Sequence, residues 1–335
     1  MSSLRVCLIG AGEMAEIHAR NIAAHAGAGL VGVVDPDNAR ARHVASAFGG
    51  AVMSPDAAFA PGTADAYVIA SPPRSHADYL ERAAAATQGY IFCEKPVDHD
   101  IDRARQVMSL LGDRRARIQM GFNRRFDPHF EALRASIRSG EIGRLEQVVI
   151  ISRDPENPPL EGFQNSSGLL KETTIHDFDL VRWLTGEEPA QIFVMGGAII
   201  NPDYARIGHI DTATTTIRME SGPQVTIVNS LRAAFGYDQR IEVLGTDGMV
   251  SVGNLPQSQV VLSDASGVRA GRPHRNYPQR YAEAYRIEMA RFLDAAIAGA
   301  AVSPDLGDGL AASEMAEAAI RSLNEGAVIQ MGGRS

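Results

Sequence analysis

Three side chains suited to proton transfer lie close together in the stretch GLLKETTIHDFDLVRWL, residues 168–184. Glu172 precedes His176 by four positions, and Asp179 follows that histidine by three. Positions i, i+4 and i+7 share one face of a helix, so a helix over this stretch can bring all three groups to one pocket. An imidazole accepts a hydroxyl proton near neutral pH, and a nearby carboxylate orients it.

The same pattern also has a purely structural interpretation. Glu172 can cap the first turn of the helix, where a carboxylate interacts favourably with the helix dipole, and His176 can be a hydrogen-bonded core histidine. The rest of the sequence decides between the two interpretations.

The order of strands and helices changes near residue 122. Before it, short apolar runs such as LRVCLIG and YIFCE alternate with helical stretches, which predicts a doubly wound parallel sheet of the α/β class. After it, consecutive strands are joined by turns such as TDGM, which predicts a second, α+β domain with a mixed or antiparallel sheet. We therefore predict two domains, 1–121 and 122–335, with the late helical stretches 279–298 and 308–325 in the second.

Composition excludes several classes of protein. A chain of 335 residues exceeds the usual size of one core, which agrees with two domains. A net charge of −8 without a basic cluster argues against a nucleic-acid partner, and no apolar run is long enough for a membrane span. Cys7 and Cys93 lie in apolar strand-like runs, where buried free thiols are expected. We predict a cytoplasmic protein with no metal site.

A glycine-rich turn follows the first predicted strand. In VCLIGAGEMAEIHARN, Gly10, Gly12 and Ala15 form a G-x-G-x-x-A pattern at the point where the strand meets a helix. Gly10 permits a tight turn, Gly12 lets the backbone approach a pyrophosphate, and Ala15 lets the helix pack closely. The helix N-terminus then directs its N–H groups at the phosphates, so Glu13 and Met14 also border the predicted dinucleotide site.

The end of the second strand indicates which dinucleotide binds. Asp35 lies where a carboxylate accepts hydrogen bonds from the adenosine ribose hydroxyls, and it would repel a 2′-phosphate, which favours NAD over NADP. Arg40 and Arg42 follow closely, so NADP stays open as an alternative cofactor. The structural alternative is that Asp35 only caps the turn that follows it.

Two further strands end in polar residues at the carboxyl edge, where cofactors bind in open α/β sheets. Ser71 and Pro72 follow one strand, and His76 lies in the next helix as a structural or cofactor-edge residue. Glu94 and Lys95 follow another strand, and Pro96 stops it. An isolated lysine is ordinarily a solvated surface charge, but this one lies at the expected cofactor crevice.

Taken together, the motifs resemble those of a known family. GAGEMAEIHARN, ASPPRSHAD, CEKPV, GFNRRFDP and TTIHDFDLVRWL, in this order and spacing, are similar to the glucose–fructose oxidoreductase, inositol dehydrogenase and rhizopine-catabolism family. The resemblance covers essentially the whole chain and is strongest to the inositol 2-dehydrogenase branch. It implies a Rossmann domain and a C-terminal substrate-binding domain with an open mixed, largely antiparallel sheet that often builds dimers or tetramers.

The resemblance also implies a catalytic set of lysine, histidine and aspartate. Lys95 matches the lysine, whose charge would stabilise a developing alkoxide, and His176 matches the histidine, which would take the hydroxyl proton. The aspartate position is occupied by Glu172, which keeps the charge and moves it by about a bond length. The substrate is therefore expected to differ in detail from that of the typical relatives.

Five residues are predicted to contact a polyol substrate: Asn123 and Arg124 by resemblance, and Thr173, Asp179 and Tyr237 by their polar groups. A surface salt bridge is the alternative for Arg124 and for its neighbour Arg125. The leading hypothesis is an NAD-dependent dehydrogenase that oxidises a secondary hydroxyl of a cyclitol or sugar to a ketone. Two alternatives stay open: a glycoside hydrolase that uses bound NAD for transient oxidation, and a non-catalytic sugar sensor.

Overall fold

The computed structural model describes residues 3–156, 158–163 and 166–332. Contacts divide the chain into two compact units. Unit 1 comprises Met1–Phe126 and Ala284–Ser313, and unit 2 comprises Asp127–Glu283 and Glu314–Ser335.

Unit 1 contains a six-stranded parallel sheet with the strand order β3-β2-β1-β4-β5-β6. The order reverses between β1 and β4, which is the switch point where ligands bind in doubly wound sheets. This confirms the predicted α/β class. The strands are β1 (Leu4–Ile9), β2 (Ala28–Val34), β3 (Ala51–Val52), β4 (Ala66–Ile69), β5 (Tyr90–Glu94) and β6 (Ile118–Gly121).

Helices cover both faces of this sheet's core, because β1, β4 and β5 are almost entirely buried. Short 3₁₀ turns occur at Pro73–Ser75, Gly112–Arg117 and Asn123–Phe126. The α-helices of this part are α1 (Glu13–Ala23), α2 (Asn38–Phe48), α3 (Pro55–Ala58), α4 (His76–Ala86) and α5 (Ile101–Leu111).

Unit 2 contains a seven-stranded sheet with the order β12-β11-β7-β10-β9-β8-β15. Only β7 and β10 pair in parallel, so the sheet is mixed and largely antiparallel, as predicted. Its strands are β7 (Leu145–Arg153), β8 (Pro189–Gly197), β9 (Thr212–Met219), β10 (Gln224–Ser230), β11 (Asp238–Gly245), β12 (Met249–Val252) and β15 (Ile329–Gln330); β13 (Leu262–Asp264) and β14 (Gly267–Arg269) form a separate hairpin.

One face of the large sheet is buried and the other is open. Strand β9 shows this by alternation: Ala213, Ile217 and Met219 are buried, whereas Thr214 and Thr216 between them are exposed. The helices that follow β6 in the chain are α6 (Pro128–Arg138), α7 (Leu160–Phe163), α8 (Leu169–Glu172), α9 (Thr174–Thr185), α10 (Asp203–Arg206), α11 (Tyr277–Arg280), α12 (Ala282–Ala298) and α13 (Leu306–Glu325).

The division between the units differs from the predicted domains 1–121 and 122–335. The first break lies after Phe126, and most of helix α12 packs in unit 1. Met289, Phe292 and Leu293 of this helix join the core of the parallel sheet, where the Phe292 ring meets Phe92 edge to face. Periodicity in the sequence reveals the apolar face of such a helix, but not the sheet that this face covers.

Both cysteines are buried and free. Burial raises the pKa of the Cys7 thiol to about 12 and raises the pKa of Cys93 as well, so both are uncharged at neutral pH. Among the described residues, no helix combines the length and the apolar character that crossing a membrane requires.

Candidate active site

The glycine-rich turn has the backbone that the sequence pattern predicts. Gly10 adopts φ +104°, and a Cβ added there would lie 2.5 Å from the carbonyl oxygen of Ala70, so only glycine fits. Gly12 is different, since an added Cβ would meet no atom of the described residues within 4 Å. The space above Gly12 is therefore open to a ligand, and the fully buried Ala15 holds helix α1 close to the sheet.

Helix α1 begins at Glu13, and no side chain caps its N-terminus. An uncapped N-terminus behind an open glycine is the arrangement that holds a pyrophosphate. Glu13 is exposed and Met14 is partly exposed in this first turn. The residues present thus fit a dinucleotide.

Asp35 follows β2 and ties its end to the glycine-rich turn. One carboxylate oxygen accepts the N–H of Ala11 at 2.8 Å, and the other accepts the N–H of Asp37 at 2.8 Å. The Arg40 guanidinium lies 3.6 Å from the second oxygen. Turn capping and ribose binding are therefore compatible, because each carboxylate oxygen has more than one lone pair.

The loop after β4 is fixed by His76. This side chain is fully buried, and its two ring nitrogens lie 2.7 Å from the Pro96 carbonyl and 2.8 Å from the Ser71 carbonyl. Burial lowers the pKa of His76, and the two carbonyl contacts oppose that shift only in part. The imidazole thus joins the loops after β4 and β5. Ser71 contacts the Ser75 hydroxyl, and Pro72 is exposed at the loop surface.

Lys95 is the first residue after β5, and it is partly buried. Its neighbour Glu94 is 8% exposed, and the Glu94 carboxylate lies 2.7 Å from the Nε2 atom of His18 on helix α1. Sequence reasoning did not single out His18. A signal was present, because His18 falls in the apolar stripe formed by Ala15, Ala19 and Ile22.

Residues 168–184 do not form one helix. Helix α8 ends at Glu172 and α9 starts at Thr174, with Thr173 between them at φ −99° and ψ −55°. The predicted single helix is wrong at this point, so the i, i+4 relation does not place Glu172 and His176 on one continuous face. One Glu172 carboxylate oxygen accepts the N–H of Ser167 at 2.7 Å.

Two predicted substrate contacts in unit 2 are buried. Asp179 has no exposed surface, and Tyr237 is 5% exposed with its ring edge to face with Tyr281, the centroids 6.0 Å apart. Thr173 and His176 are partly exposed. Lys171, next to Glu172, forms an ion pair with Glu317.

Asn123, Arg124 and Arg125 follow β6 in a 3₁₀ turn, and all three are buried. Because Arg124 and Arg125 are buried, the alternative that they form salt bridges on the surface is wrong. Arg125 does form an ion pair, with the Asp308 carboxylate 3.1 Å away, but inside unit 1. Within the described ranges, no group of three or more His, Cys, Asp or Glu side chains could hold a metal ion.

Comparison with known proteins identifies the family. Residues 4–122 match the family model described as oxidoreductase family, NAD-binding Rossmann fold, and residues 130–251 match the GFO/IDH/MocA C-terminal domain. The chain belongs to the GFO/IDH/MocA oxidoreductase family. This confirms the family, the oxidoreductase class and the NAD-binding fold predicted from the motifs.

Individual relatives point to one branch of the family. The chain is 42% identical to the inositol 2-dehydrogenase of Rhizobium meliloti (strain 1021) over 96% of its length and 98% of the relative's. The myo-inositol dehydrogenase structure from Corynebacterium glutamicum ATCC 13032 matches with a TM-score of 0.95 and 35% identity, over 99% of this chain and 100% of that one. The scyllo-inositol dehydrogenase of Lactobacillus casei was solved with NAD(H) and scyllo-inositol. It matches with a TM-score of 0.90 and 26% identity, over 98% of this chain and 99% of that one.

Proposed function

We propose that this protein is an NAD-dependent dehydrogenase that oxidises a secondary hydroxyl of an inositol-like cyclitol to a ketone. The observation that carries the proposal is the alignment of three strand ends in unit 1. Ile9 pairs with Ile69, and Ile69 pairs with Cys93, so β1, β4 and β5 end side by side. The glycine-rich turn after β1 and Lys95 after β5 therefore lie at the same carboxyl edge of the sheet, with β4 between their two strands.

The reaction divides between the cofactor and the protein. NAD, when bound, supplies the hydride acceptor. Gly10, Gly12 and the start of helix α1 are proposed to hold its pyrophosphate, with Asp35 at the ribose. Glu13, Met14, Ser71, Pro72, His76, Glu94 and Lys95 are the further residues proposed to border or support this site.

Lys95 and His176 are proposed to act on the same substrate oxygen. The Lys95 ammonium would stabilise negative charge as the hydroxyl proton leaves, and the His176 imidazole would receive that proton. Glu172 would orient the imidazole or pair with the lysine. Asn123, Arg124, Thr173, Asp179 and Tyr237 are proposed to recognise the other hydroxyls, and the buried ones among them would act by shaping the wall of the site.

Inositol as the substrate class comes from the relatives, whose names specify inositol 2-dehydrogenase and myo-inositol dehydrogenase. The proposal is tested by following NADH formation with inositol isomers, aldoses and sugar acids. Net NADH with a cyclitol supports it. Hydrolysis of a glycoside without net NADH would favour the transient-oxidation alternative, and binding of a sugar without turnover would favour the sensor.

Replacing Asp35 with alanine is expected to weaken NAD binding by about tenfold and to reduce the preference for NAD over NADP, because the ribose loses an acceptor and a 2′-phosphate loses a repelling charge. Asp35→Asn is the matched control. It keeps an acceptor for the Ala11 N–H but lacks the charge. Titration of each variant with both dinucleotides gives the answer, and an unchanged NAD to NADP affinity ratio in both would contradict the ribose assignment.

Shortening Glu172 to aspartate is expected to change the relative kcat/KM values for inositol isomers by about tenfold, because the carboxylate retreats by about 1.5 Å from Ser167. Glu172→Gln is the control, since it keeps the length and removes the charge. It should lower the rates with all isomers by a similar factor. If Glu172→Asp changes kcat/KM by the same factor for every isomer, the extra methylene does not set substrate choice.

We also propose a cytoplasmic homo-oligomer, a dimer or a tetramer, with a homotetramer as the specific prediction. The open face of the unit 2 sheet supports self-association, because Met195 on β8 is 68% exposed beside the exposed threonines of β9. The free thiols of Cys7 and Cys93 suit a reducing compartment. Light scattering of the purified protein tests the assembly.

A further inference from the structure

A buried histidine and a buried glutamate connect the two motifs of unit 1. His18 lies in the second turn of helix α1, and Glu94 is the last residue of β5. The His18 Nε2 atom lies 2.7 Å from one Glu94 carboxylate oxygen, and the His18 side chain has no exposed surface. The helix that starts at the glycine-rich turn thus reaches the residue next to Lys95.

The hydrogen-bond inventory fixes the state of this pair. An ionised carboxylate only accepts hydrogen bonds, so at 2.7 Å the His18 Nε2 atom must carry the proton. The other ring nitrogen, Nδ1, is buried and has no hydrogen-bond partner among the described residues. A proton on Nδ1 would be a buried donor without an acceptor, which is costly. In this arrangement His18 donates through Nε2 and the Glu94 carboxylate accepts.

The surroundings leave the carboxylate little freedom. Its other oxygen lies 3.3 Å from the backbone nitrogen of Lys95. A Cβ added at Gly121 on the adjacent strand β6 would lie 2.8 Å from that same oxygen. On the other side, the His18 ring packs edge to face against Phe92, with the centroids 4.8 Å apart. Glycine at 121 is thus what makes room for the Glu94 carboxylate.

We infer that His18 is a positioning residue for Lys95: it holds the Glu94 carboxylate where that group accepts the Lys95 backbone N–H and places a buried negative charge beside the lysine. This inference rests on the proposed function only for the statement that Lys95 is catalytic. Because the carboxylate and the lysine belong to adjacent residues, the inference predicts that the Glu94 charge raises the pKa of the Lys95 ammonium, which is measurable without substrate or cofactor.

The sequence makes that measurement simple, because Lys95 and Lys171 are its only lysines. Reductive methylation with ¹³C-formaldehyde labels both lysines and the N-terminal amine, and Lys171→Arg identifies the Lys95 signal. NMR titration then gives the pKa of Lys95 in the full-length protein. In Glu94→Gln the pKa of Lys95 is expected to fall by about one unit, because a nearby negative charge favours the ammonium form. His18→Leu should also lower the pKa of Lys95. His18→Gln keeps a hydrogen-bond donor, so the pKa of Lys95 should stay near its wild-type value.

Gly121→Ala perturbs the same carboxylate without altering His18, Glu94 or Lys95. Its new methyl group must displace the Glu94 oxygen, so the pKa of Lys95 is expected to fall here too. This variant keeps the test decisive if His18→Leu does not fold. His25→Gln is the matched control, since His25 and Asp294 form a similar pair 3.1 Å apart in which Asp294 is exposed.

An unchanged pKa of Lys95 in folded His18→Leu, or in folded Glu94→Gln and Gly121→Ala, would overturn the inference. A fall in each of these variants that folds, with no change in His25→Gln, supports it. Because no turnover is involved, a protein that oxidises no cyclitol could still show the coupling, and an active enzyme could still lack it. The two proposals therefore fail in distinguishable ways.

Discussion

Replacement of Lys95 by methionine is expected to lower kcat/KM for cyclitol oxidation by about 10³, with most of the loss in kcat. Methionine has a similar length and keeps the apolar stem, but it cannot stabilise negative charge on the substrate oxygen. That charge develops only as the proton leaves, so substrate binding should change little. Initial rates over a range of cyclitol concentrations, at saturating NAD, give kcat and KM separately.

The other lysine provides the control for that experiment. Lys171→Met removes the ion pair with Glu317, and kcat is expected to stay within about threefold of wild type because a partly exposed pair contributes little. Lys95→Arg replaces the compact ammonium with a planar guanidinium that is also positively charged, so its kcat should lie between those of Lys95→Met and wild type. A Lys95→Met protein with wild-type kcat would remove the lysine from the chemistry.

Replacement of His176 by asparagine is the second large effect and is expected to lower kcat by about 10² to 10⁴, the usual contribution of a general base. The acidic limb expected of the wild-type pH–rate profile should disappear, because a general base at His176 would be inactive when its imidazole is protonated. Raising the pH should recover part of the lost rate as hydroxide replaces the missing base. Full pH profiles of both proteins test this.

His43→Asn is the matched control, because His43 is an exposed histidine on helix α2. It should keep the wild-type rate and the wild-type profile. If His176→Asn loses rate but retains the acidic limb, another group is the base and His176 only orients the substrate. If neither rate nor profile changes, the structural interpretation of His176 as a core histidine is correct.

Much of unit 1 was predictable because its signals are local. The G-x-G-x-x-A spacing demands a particular turn, and Gly10 has both the positive φ and the close approach that require glycine. Alternation of short apolar runs with helices is sufficient to indicate a parallel sheet. The two-residue strand β3 was missed, since so short a strand has no pattern of its own.

The break between helices α8 and α9 was not predictable from local sequence. No glycine or proline occurs in residues 169–185 to signal it. The distant residue Asn229 on β10 helps to fix the start of α9, because its side-chain oxygen accepts a hydrogen bond from the Thr174 hydroxyl at 3.0 Å. A contact between residues 55 positions apart leaves no periodic trace in the sequence.

The pairing of His18 with Glu94 escaped prediction for the same reason. The sequence shows a histidine in an apolar stripe, which indicates a buried polar group that needs a partner. It does not indicate which of several buried carboxylates is that partner, because the two residues are 76 positions apart. The order of the strands, β1 next to β4 and β4 next to β5, is what brings them together.

Transfer of deuterium from the substrate carbon to the nicotinamide tests the central claim most directly. The protein is incubated with NAD and with myo-inositol that carries deuterium at C2, and the products are analysed by mass spectrometry. Deuterated NADH and an inositol ketone in equal amounts, formed more slowly than from unlabelled substrate, are the predicted result. Absence of the label from the cofactor, with no ketone from any cyclitol tried, would contradict the proposed dehydrogenase.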